Sequence, residues 1–301
     1  MGITIHSMFD GMSCARLAAQ KAGLVVDKYY ASEVDKHAIK VAQHNFPDTI
    51  QLGDALGYQN WELPKIDLAL GGSPCQDLSK IKSKDGKGLD GEKSKLFYTF
   101  YNNLELLDPK HFLLENVLMS DKDANIISSL LGVEPIMIDS GNFSAQNRPR
   151  LYWTNIEFDH NLPSSELVLR DIMEQEVAEK YYYTDKPFNI HSPNKRVIGN
   201  MVTHNGLGKR QFTDLTSRIY NPLFKCATLT AVSGGGQEKK VYDNGVRKLT
   251  PLEYERLQTV PDNYTACVSD SQRYKMLGNG WTVDVIAHIL GGLKQWKKNA
   301  A

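Results

Sequence analysis

Cys75 is the side chain in this sequence best placed for nucleophilic chemistry. It falls in Gly71-Gly72-Ser73-Pro74-Cys75-Gln76, directly after the apolar run 66–70. A free cysteine is usually a small buried hydrophobe, and that reading fits Cys14, Cys226 and Cys267. At Cys75 a proline-fixed turn after a strand instead presents the thiol to a crevice. The thiolate is the reactive species, and a free thiol with a pKa of ~8.5 is only a few per cent ionised at neutral pH, so a partner acid or bound substrate must help. Glu115, in Glu115-Asn116-Val117 after the apolar run 111–114, is the candidate partner. Burial of a carboxyl favours its neutral form, which suits proton donation. Arg148 and Arg150, in Gln146-Asn147-Arg148-Pro149-Arg150, stand at the start of another apolar run and could hold this acid and an acceptor oxygen. An isolated Arg-x-Arg is more often a surface feature.

A second constellation suits a nucleoside. Phe9-Asp10-Gly11-Met12-Ser13 follows the first apolar run, Glu33 ends the second, and Gly53-Asp54 follows the third. A turn glycine lets the backbone approach a ligand, and a carboxylate ending the second strand can accept both ribose hydroxyls. The signal is weak alone, because G-x-G-x-x-G is absent and a dinucleotide-binding protein would look similar.

The elements that must position these residues read as an α/β sheet. Apolar runs at 3–9, 29–32, 66–70, 111–114, 136–138 and 151–154 are strand candidates, and 13–23, 36–44 and 97–107 carry helical spacing. In an open parallel sheet ligands bind outside the carboxyl ends of the strands, which is where all of these residues fall. From 163 to 245 the rhythm breaks into a loop-rich stretch with a Tyr181-Tyr182-Tyr183 cluster. Helical character returns at 251–258, with Thr250 as N-cap and Pro251 at the first position, and again at 284–296. No internal repeat is evident.

With 301 residues, 41% apolar and 23% charged, the chain has the composition of an ordinary globular protein. No apolar run approaches bilayer length, and the four scattered cysteines form no C-x-x-C pair, so neither a zinc site nor a disulfide framework is expected. The formal net charge is zero, yet 186–248 holds eleven basic residues against three acidic ones, a local excess of +8. That segment is a candidate phosphate-binding footprint; the plainer alternative is a solvated loop region.

Taken together, these segments resemble the cytosine-C5 DNA methyltransferase family, in the family's order and along nearly the whole chain. Phe9-Asp10-Gly11 is similar to the first cofactor motif, Ser73-Pro74-Cys75-Gln76 to the nucleophile motif and Glu115-Asn116-Val117 to the acid motif. Gln146-x-Arg148-x-Arg150 resembles the arginine motif. Arg247-Lys248-Leu249-Thr250-Pro251, continuing through Glu255-Arg256-Leu257 and Pro261-Asp262, resembles the motif that closes the recognition domain. Leu277-Gly278-Asn279-Gly280 with Val283 resembles the final motif. Two departures stand out: Ser13 replaces a second glycine, and Gly280-Trp281 replaces the commoner pair after Asn279. Trp281 is reminiscent of the eukaryotic de novo branch, whereas the compact recognition segment around Thr228-Leu229 resembles bacterial and phage enzymes.

The resemblance implies a Rossmann-like S-adenosylmethionine-dependent sheet with a smaller, irregular, mostly β/loop target-recognition domain. It places the catalytic domain at 1–157 plus 249–301 and the recognition domain at 158–248. The implied reaction has Cys75 attack C6 of a flipped-out cytosine while Glu115 acts at N3, with Arg148 and Arg150 fixing Glu115 and the cytosine O2; C5 then takes a methyl group. Implied cofactor residues are Phe9, Asp10, Gly11, Met12, Ser13, Glu33, Val34, Asp54, Ala55, Gly72, Asn279, Gly280 and Trp281. Implied DNA contacts are Gln76, Ser79, Thr228, Leu229, Lys209 and Arg210, with 206–208 and 234–236 as loops approaching the DNA and 77–95 closing over the base. A monomer acting on double-stranded DNA in the cytoplasm of a bacterial or phage-infected cell, without metal or membrane, is expected, in a restriction-modification setting. The rivals are a tRNA-directed relative, a catalytically dead DNA-binding relative and a nicotinamide dehydrogenase.

Overall fold

Each early apolar run becomes a strand, and the segments between them become helices that cover it. The computed structural model describes residues 2–73, 95–201, 214–232 and 236–294. In chain order the elements are β1 (Ile3–Met8), α1 (Cys14–Lys21), β2 (Val26–Ser32), α2 (Lys36–Asn45), β3 (Ile50–Gln51), β4 (Leu68–Gly71), α3 (Lys95–Leu107), β5 (His111–Val117), α4 (Asp121–Leu131) and β6 (Ile136–Asp139). Then come β7 (Gln146–Asn147), β8 (Pro149–Thr154), α5 (Leu169–Ile172), β9 (Phe188–Ile190), β10 (Val197–Met201), α6 (Asp214–Ser217), β11 (Arg218–Tyr220), β12 (Cys226–Ala227), β13 (Lys240–Tyr242) and β14 (Val246–Lys248). Helices α7 (Pro251–Leu257), α8 (Asp270–Asn279) and α9 (Val283–Leu290) complete the chain.

The chain forms two compact units. The first comprises 1–139, 149–162 and 283–301; the second comprises 140–148 and 163–282. This division departs from the expected domain limits at 249–282, whose helices pack within the second unit. The cause is a buried amide pair: Gln146 Nε2 donates to Gln258 Oε1 at 3.1 Å and to the Leu257 carbonyl at 3.2 Å. Buried amides need such partners, so α7 is held to the 140–148 segment.

The first unit is built on a seven-stranded sheet in the order β3-β2-β1-β4-β5-β8-β6. Strands β1 to β5 pair in parallel, while β8 runs antiparallel to both β5 and β6. The sheet is therefore mixed: the parallel reading of the early strands holds for β1 to β5, and the direction of β8 was not readable, because an apolar run such as 151–154 carries no mark of it. One face packs Met8, Ala69, Phe97, Phe100, Leu114 and Trp153 into a core. A Cβ at Gly71 would lie 2.5 Å from the Phe100 ring, so the end of β4 must be glycine for α3 to pack there. Helix α4 was absent from the sequence reading, although Ser120 caps its start, accepting from Asp123 N at 3.2 Å, and left-handed Gly132 ends it.

The second unit carries a five-stranded sheet, β14-β13-β11-β10-β9, and a two-stranded one joining β12 to β7. Its strands are at most five residues long, which is why alternation was unreadable. Ile198, Met201, Ile219 and Val246 form its small core. Thr250 caps α7 reciprocally with Glu253, and Pro251 opens the helix as the sequence predicts.

Candidate active site

The loop after β1 is shaped by three left-handed residues, Phe9 (φ 57°), Gly11 (φ 59°) and Ser13 (φ 63°). Only glycine adopts this conformation freely, so the other two must be held. The Asp10 carboxylate does the holding, accepting from the Ser13 and Tyr29 hydroxyls at 2.5 Å each. Burial pushes the Asp10 carboxyl up to about 6, against the pull of those hydroxyls. Ser13, the departure from the family's glycine, thus has a local use for its side chain. Met12, expected beside the cofactor, has its side chain in the core at 1% exposure, leaving only its backbone to serve.

Glu33 joins this loop to the end of β2. Its carboxylate accepts from the Gly11 amide at 2.8 Å, from Val34 N at 2.7 Å and from Asp35 N at 2.8 Å. The space a Cβ would occupy on Gly11 is open. Val34 beside it is 70% exposed, an apolar side chain facing solvent at a strand end. Asp54, also exposed, caps a short 3-10 turn by accepting from Leu56 N at 3.0 Å, and Ala55 next to it is buried.

At the other half of the sheet, the pleat brings an acid and a base together. Val117 lies opposite Arg150 in the β5–β8 register, and Glu115 shares its face two residues away. Arg150 Nε meets Glu115 Oε1 at 2.9 Å, with both side chains mostly buried. Asn116, on the opposite face, donates to the Ser73 hydroxyl at 3.0 Å while accepting from Val117 N at 2.8 Å. This bond ties the acid-bearing strand to the chain two residues before Cys75. Gly72 lies half-buried beside it. Cys75, Gln76, Ser79, Lys209 and Arg210 lie outside the described residues, as do the stretch 77–94 and the loop 206–208.

Arg148 has a different employment. Its guanidinium, buried at 4% exposure, donates to the Leu229 carbonyl at 2.7 Å and to the Gly278 and Gly280 carbonyls at 3.1 Å each. The expected pair is therefore split: Arg150 pairs with Glu115, and Arg148 gathers loop carbonyls of the second unit. Gly278 makes this gathering possible, since a Cβ there would sit 2.2 Å from the Thr230 carbonyl oxygen. Gln258 adds bonds from Nε2 to the Leu277 and Gly280 carbonyls at 2.7 and 3.0 Å. Asn279 is exposed, and Gly280 and Trp281 are half-buried. Leu229, expected at a recognition surface, is buried at 1% exposure, so its side chain faces inward; Thr228 donates to the Asn147 carbonyl at 2.9 Å. Sequence reasoning gave no role to Tyr29 or Ser73, which act through Asp10 and Asn116 respectively; Ser73 falls in the segment resembling the nucleophile motif, and no motif marks Tyr29.

A mixed, mostly parallel sheet with a glycine turn after β1, an acid after β2 and a paired acid on β5 is a Rossmann-like arrangement, in which ligands sit at the carboxyl ends of the strands. The chain belongs to the C-5 cytosine-specific DNA methylase family, whose profile matches residues 3–295, and is a methyltransferase of cytosine in DNA. It is 28% identical over 310 residues to the type II methyltransferase M.NlaX of Neisseria lactamica, covering 96% of each chain. It is also 28% identical over 324 residues to the type II methyltransferase M.HpaII of Haemophilus parainfluenzae, covering 94% of this chain and 87% of that one. In fold it is similar to the Entamoeba histolytica methyltransferase EhMeth, with a TM-score of 0.74, 16% identity and 99% coverage of both chains. Among the described residues no group of His, Cys, Asp and Glu could hold a metal ion, and no helix is long and apolar enough to cross a membrane.

Proposed function

We propose that Cys75 is the nucleophile, Glu115 the acid at cytosine N3, and Arg150 the residue that orients Glu115. The observation that carries this reading is the Arg150–Glu115 ion pair at 2.9 Å on β5, next to the Asn116–Ser73 bond that leads to Cys75. C5 of cytosine is a poor nucleophile. Addition of the Cys75 thiolate to C6, with Glu115 stabilising the charge at N3, turns C5 into an enamine carbon. S-adenosylmethionine, when bound, supplies an electrophilic methyl group on a sulfonium. Loss of the C5 proton and expulsion of Cys75 then restore the aromatic ring. These atoms cannot meet inside a stacked duplex, so the base must be flipped out.

The residues present fit that cofactor. Open space over Gly11, the Glu33 carboxylate, apolar exposed Val34 and exposed Asp54 are what a ribose and an adenine require. Phe9, Ala55 and Gly72 would contribute backbone or contact area, and Asn279, Gly280 and Trp281 would serve the methionine end. Asp10 and Ser13 act by holding the loop.

The segment 158–248, which from 163 onward lies in the second unit, is read as the target-recognition domain. Its local excess of +8 and its place between catalytic motifs support this. Thr228, Lys209 and Arg210 remain its candidate DNA contacts, and Gln76 and Ser79 those of the first unit. The setting this reading expects is a monomer in the cytoplasm of a bacterial or phage-infected cell, in line with the bacterial type II relatives. Transfer of a tritiated methyl group to duplex DNA and to tRNA, compared side by side, tests the substrate. Label in DNA alone supports the proposal, and label in tRNA alone overturns it.

A further inference from the structure

Helix α8 ends in Leu277-Gly278-Asn279, and the last carbonyls of a helix have no partner within it. Here two buried side chains of the second unit supply them. Gln258 Nε2 donates to the Leu277 carbonyl at 2.7 Å, and Arg148 Nη2 donates to the Gly278 carbonyl at 3.1 Å. Both reach on to the Gly280 carbonyl, at 3.0 and 3.1 Å respectively. That carbonyl belongs to the peptide joining Gly280 to Trp281, so the turn carrying Asn279 to Trp281 is fixed from the inside. A cation is also the charge that the C-terminal end of a helix favours.

The same guanidinium has a second task. Arg148 Nη1 donates to the Leu229 carbonyl at 2.7 Å, while the Leu229 amide donates to Gln146 Oε1 at 2.7 Å. Leu229 is thus bonded at both of its backbone groups. Just before it, β12 pairs in parallel with β7, Ala227 opposite Asn147, and the Thr228 hydroxyl donates to the Asn147 carbonyl at 2.9 Å. Side chains continue the ladder where the strand pairing stops. The two held segments also touch each other: a Cβ on Gly278 would lie 2.2 Å from the Thr230 carbonyl oxygen and 2.6 Å from Ala231 N.

A guanidinium is a rigid planar fork whose nitrogens keep a fixed separation. In Arg148 one terminal nitrogen serves Leu229 and the other serves Gly278 and Gly280. Moving either segment alone stretches hydrogen bonds from a charged donor, which are stronger than neutral ones. The bond from Gln146 Nε2 to Gln258 Oε1 closes the same ring of contacts from the other side. A ligand that orders one segment therefore lowers the cost of ordering the other.

We propose that Arg148 is a positioning residue that couples the cofactor turn to the recognition segment, so that S-adenosylmethionine seated at Asn279 to Trp281 orders Thr228-Leu229 for DNA. The inference rests on the reading of Asn279 to Trp281 as the methionine end and of 158–248 as the recognition domain, and deepens it. Arg148 acts through the backbone it holds and not on the reacting base. By linkage, DNA held at Thr228-Leu229 tightens cofactor binding by the same factor.

Hydrogen–deuterium exchange of the full chain, read by mass spectrometry with and without saturating S-adenosylmethionine and without DNA, tests the coupling. In the wild type the cofactor is expected to slow exchange about tenfold in both 277–281 and 226–231. In Arg148→Gln the slowing should persist at 277–281 and vanish at 226–231. Arg148→Lys keeps a cation without the fork and should recover part of it; should Arg148→Gln fail to fold, this variant takes its place, and full wild-type slowing in it overturns the role of the fork. An arginine that only stabilised the fold would loosen both segments alike and leave the cofactor's effect on 226–231 in place. Wild-type slowing at 277–281 alone overturns the coupling while the cofactor reading stands. Slowing at neither segment overturns that reading and the coupling with it. Full slowing at 226–231 in Arg148→Gln removes Arg148 as the carrier. Fluorescence anisotropy completes the test: a duplex that the wild type methylates should bind about tenfold tighter in the presence of S-adenosylhomocysteine, and Arg148→Gln should show no such gain. Slowing at both segments with no gain in DNA affinity overturns the recognition role of Thr228-Leu229, and the proposal with it.

Discussion

Replacing Asp10 by Asn should make the protein more acid-sensitive than the wild type. Two buried groups of β1 and its loop titrate in the same window with opposite sign. Asp10 goes from 3.8 to about 6 on folding, so between those values the folded state holds a proton that the unfolded state lacks. Stability from this group therefore rises as pH falls from 6 to 3.8. His6 goes the other way, from 6.5 to about 4, because burial disfavours its charged form. Its ring sits edge-on to Trp61 at 5.4 Å, and one nitrogen bonds the Ser32 hydroxyl at 3.3 Å. Between 6.5 and 4 the unfolded state binds the extra proton, so stability falls as pH falls. At ~1.36 kcal/mol per pH unit each effect is worth roughly 3 kcal/mol, and in the wild type they nearly cancel. Asn keeps an oxygen for the Tyr29 hydroxyl and a nearly identical shape but does not titrate. Asp10→Asn should therefore lose roughly 3 kcal/mol more than the wild type between pH 6.5 and 4, measured as urea midpoints at a series of pH values. His6→Gln should show the reverse slope. Parallel profiles for wild type and Asp10→Asn would refute the assignment of the proton to Asp10.

Other outcomes follow from the same geometry. Arg150→Gln should leave Glu115 without its cationic partner and lower methyl transfer by ~10²-fold or more, read as kcat with cofactor affinity unchanged. Arg150→Lys should recover only part, since an ammonium cannot reproduce the planar guanidinium. Glu33→Ala should weaken S-adenosylmethionine binding by roughly 1.5–3 kcal/mol in calorimetry, the range for hydrogen bonds to a charged group. Gly278→Ala should destabilise the second unit by about 1–3 kcal/mol, seen as a lowered melting temperature, because its Cβ would meet the Thr230 carbonyl.

Much of the first unit was legible because its strands are short apolar runs ending in residues of unusual type. Phe9, Glu33 and Gly71 stand at or next to strand ends where the sequence reading placed them, and Glu115 lies within β5, two residues before its end. Strand direction was not legible, and antiparallel β8 is what carries Arg150 to Glu115. The division of labour between Arg148 and Arg150 was equally hidden. It depends on which carbonyls approach, and those of Leu229, Gly278 and Gly280 are distant in sequence. In the second unit the obstacle was burial of charge. Lys240 and Arg247 count toward the basic excess read as a candidate phosphate-binding footprint, yet both are interior groups satisfied by carbonyls or carboxylates. The limit at 249–282 was missed for a related reason, since Gln146 and Gln258 look like surface amides until they are seen to bond each other.

In the proposed mechanism Cys75 and Glu115 act together on a cytosine ring. Duplex DNA carrying 5-fluorocytosine, incubated with the chain and S-adenosylmethionine, cannot lose a C5 proton and so should trap the enzyme. Mass spectrometry of the digested complex should find the modified base on the peptide containing Cys75, with no adduct in Cys75→Ser and little in Glu115→Gln. A trapped base on Cys14, Cys226 or Cys267, or methylated DNA from a Cys75→Ser protein, would contradict it.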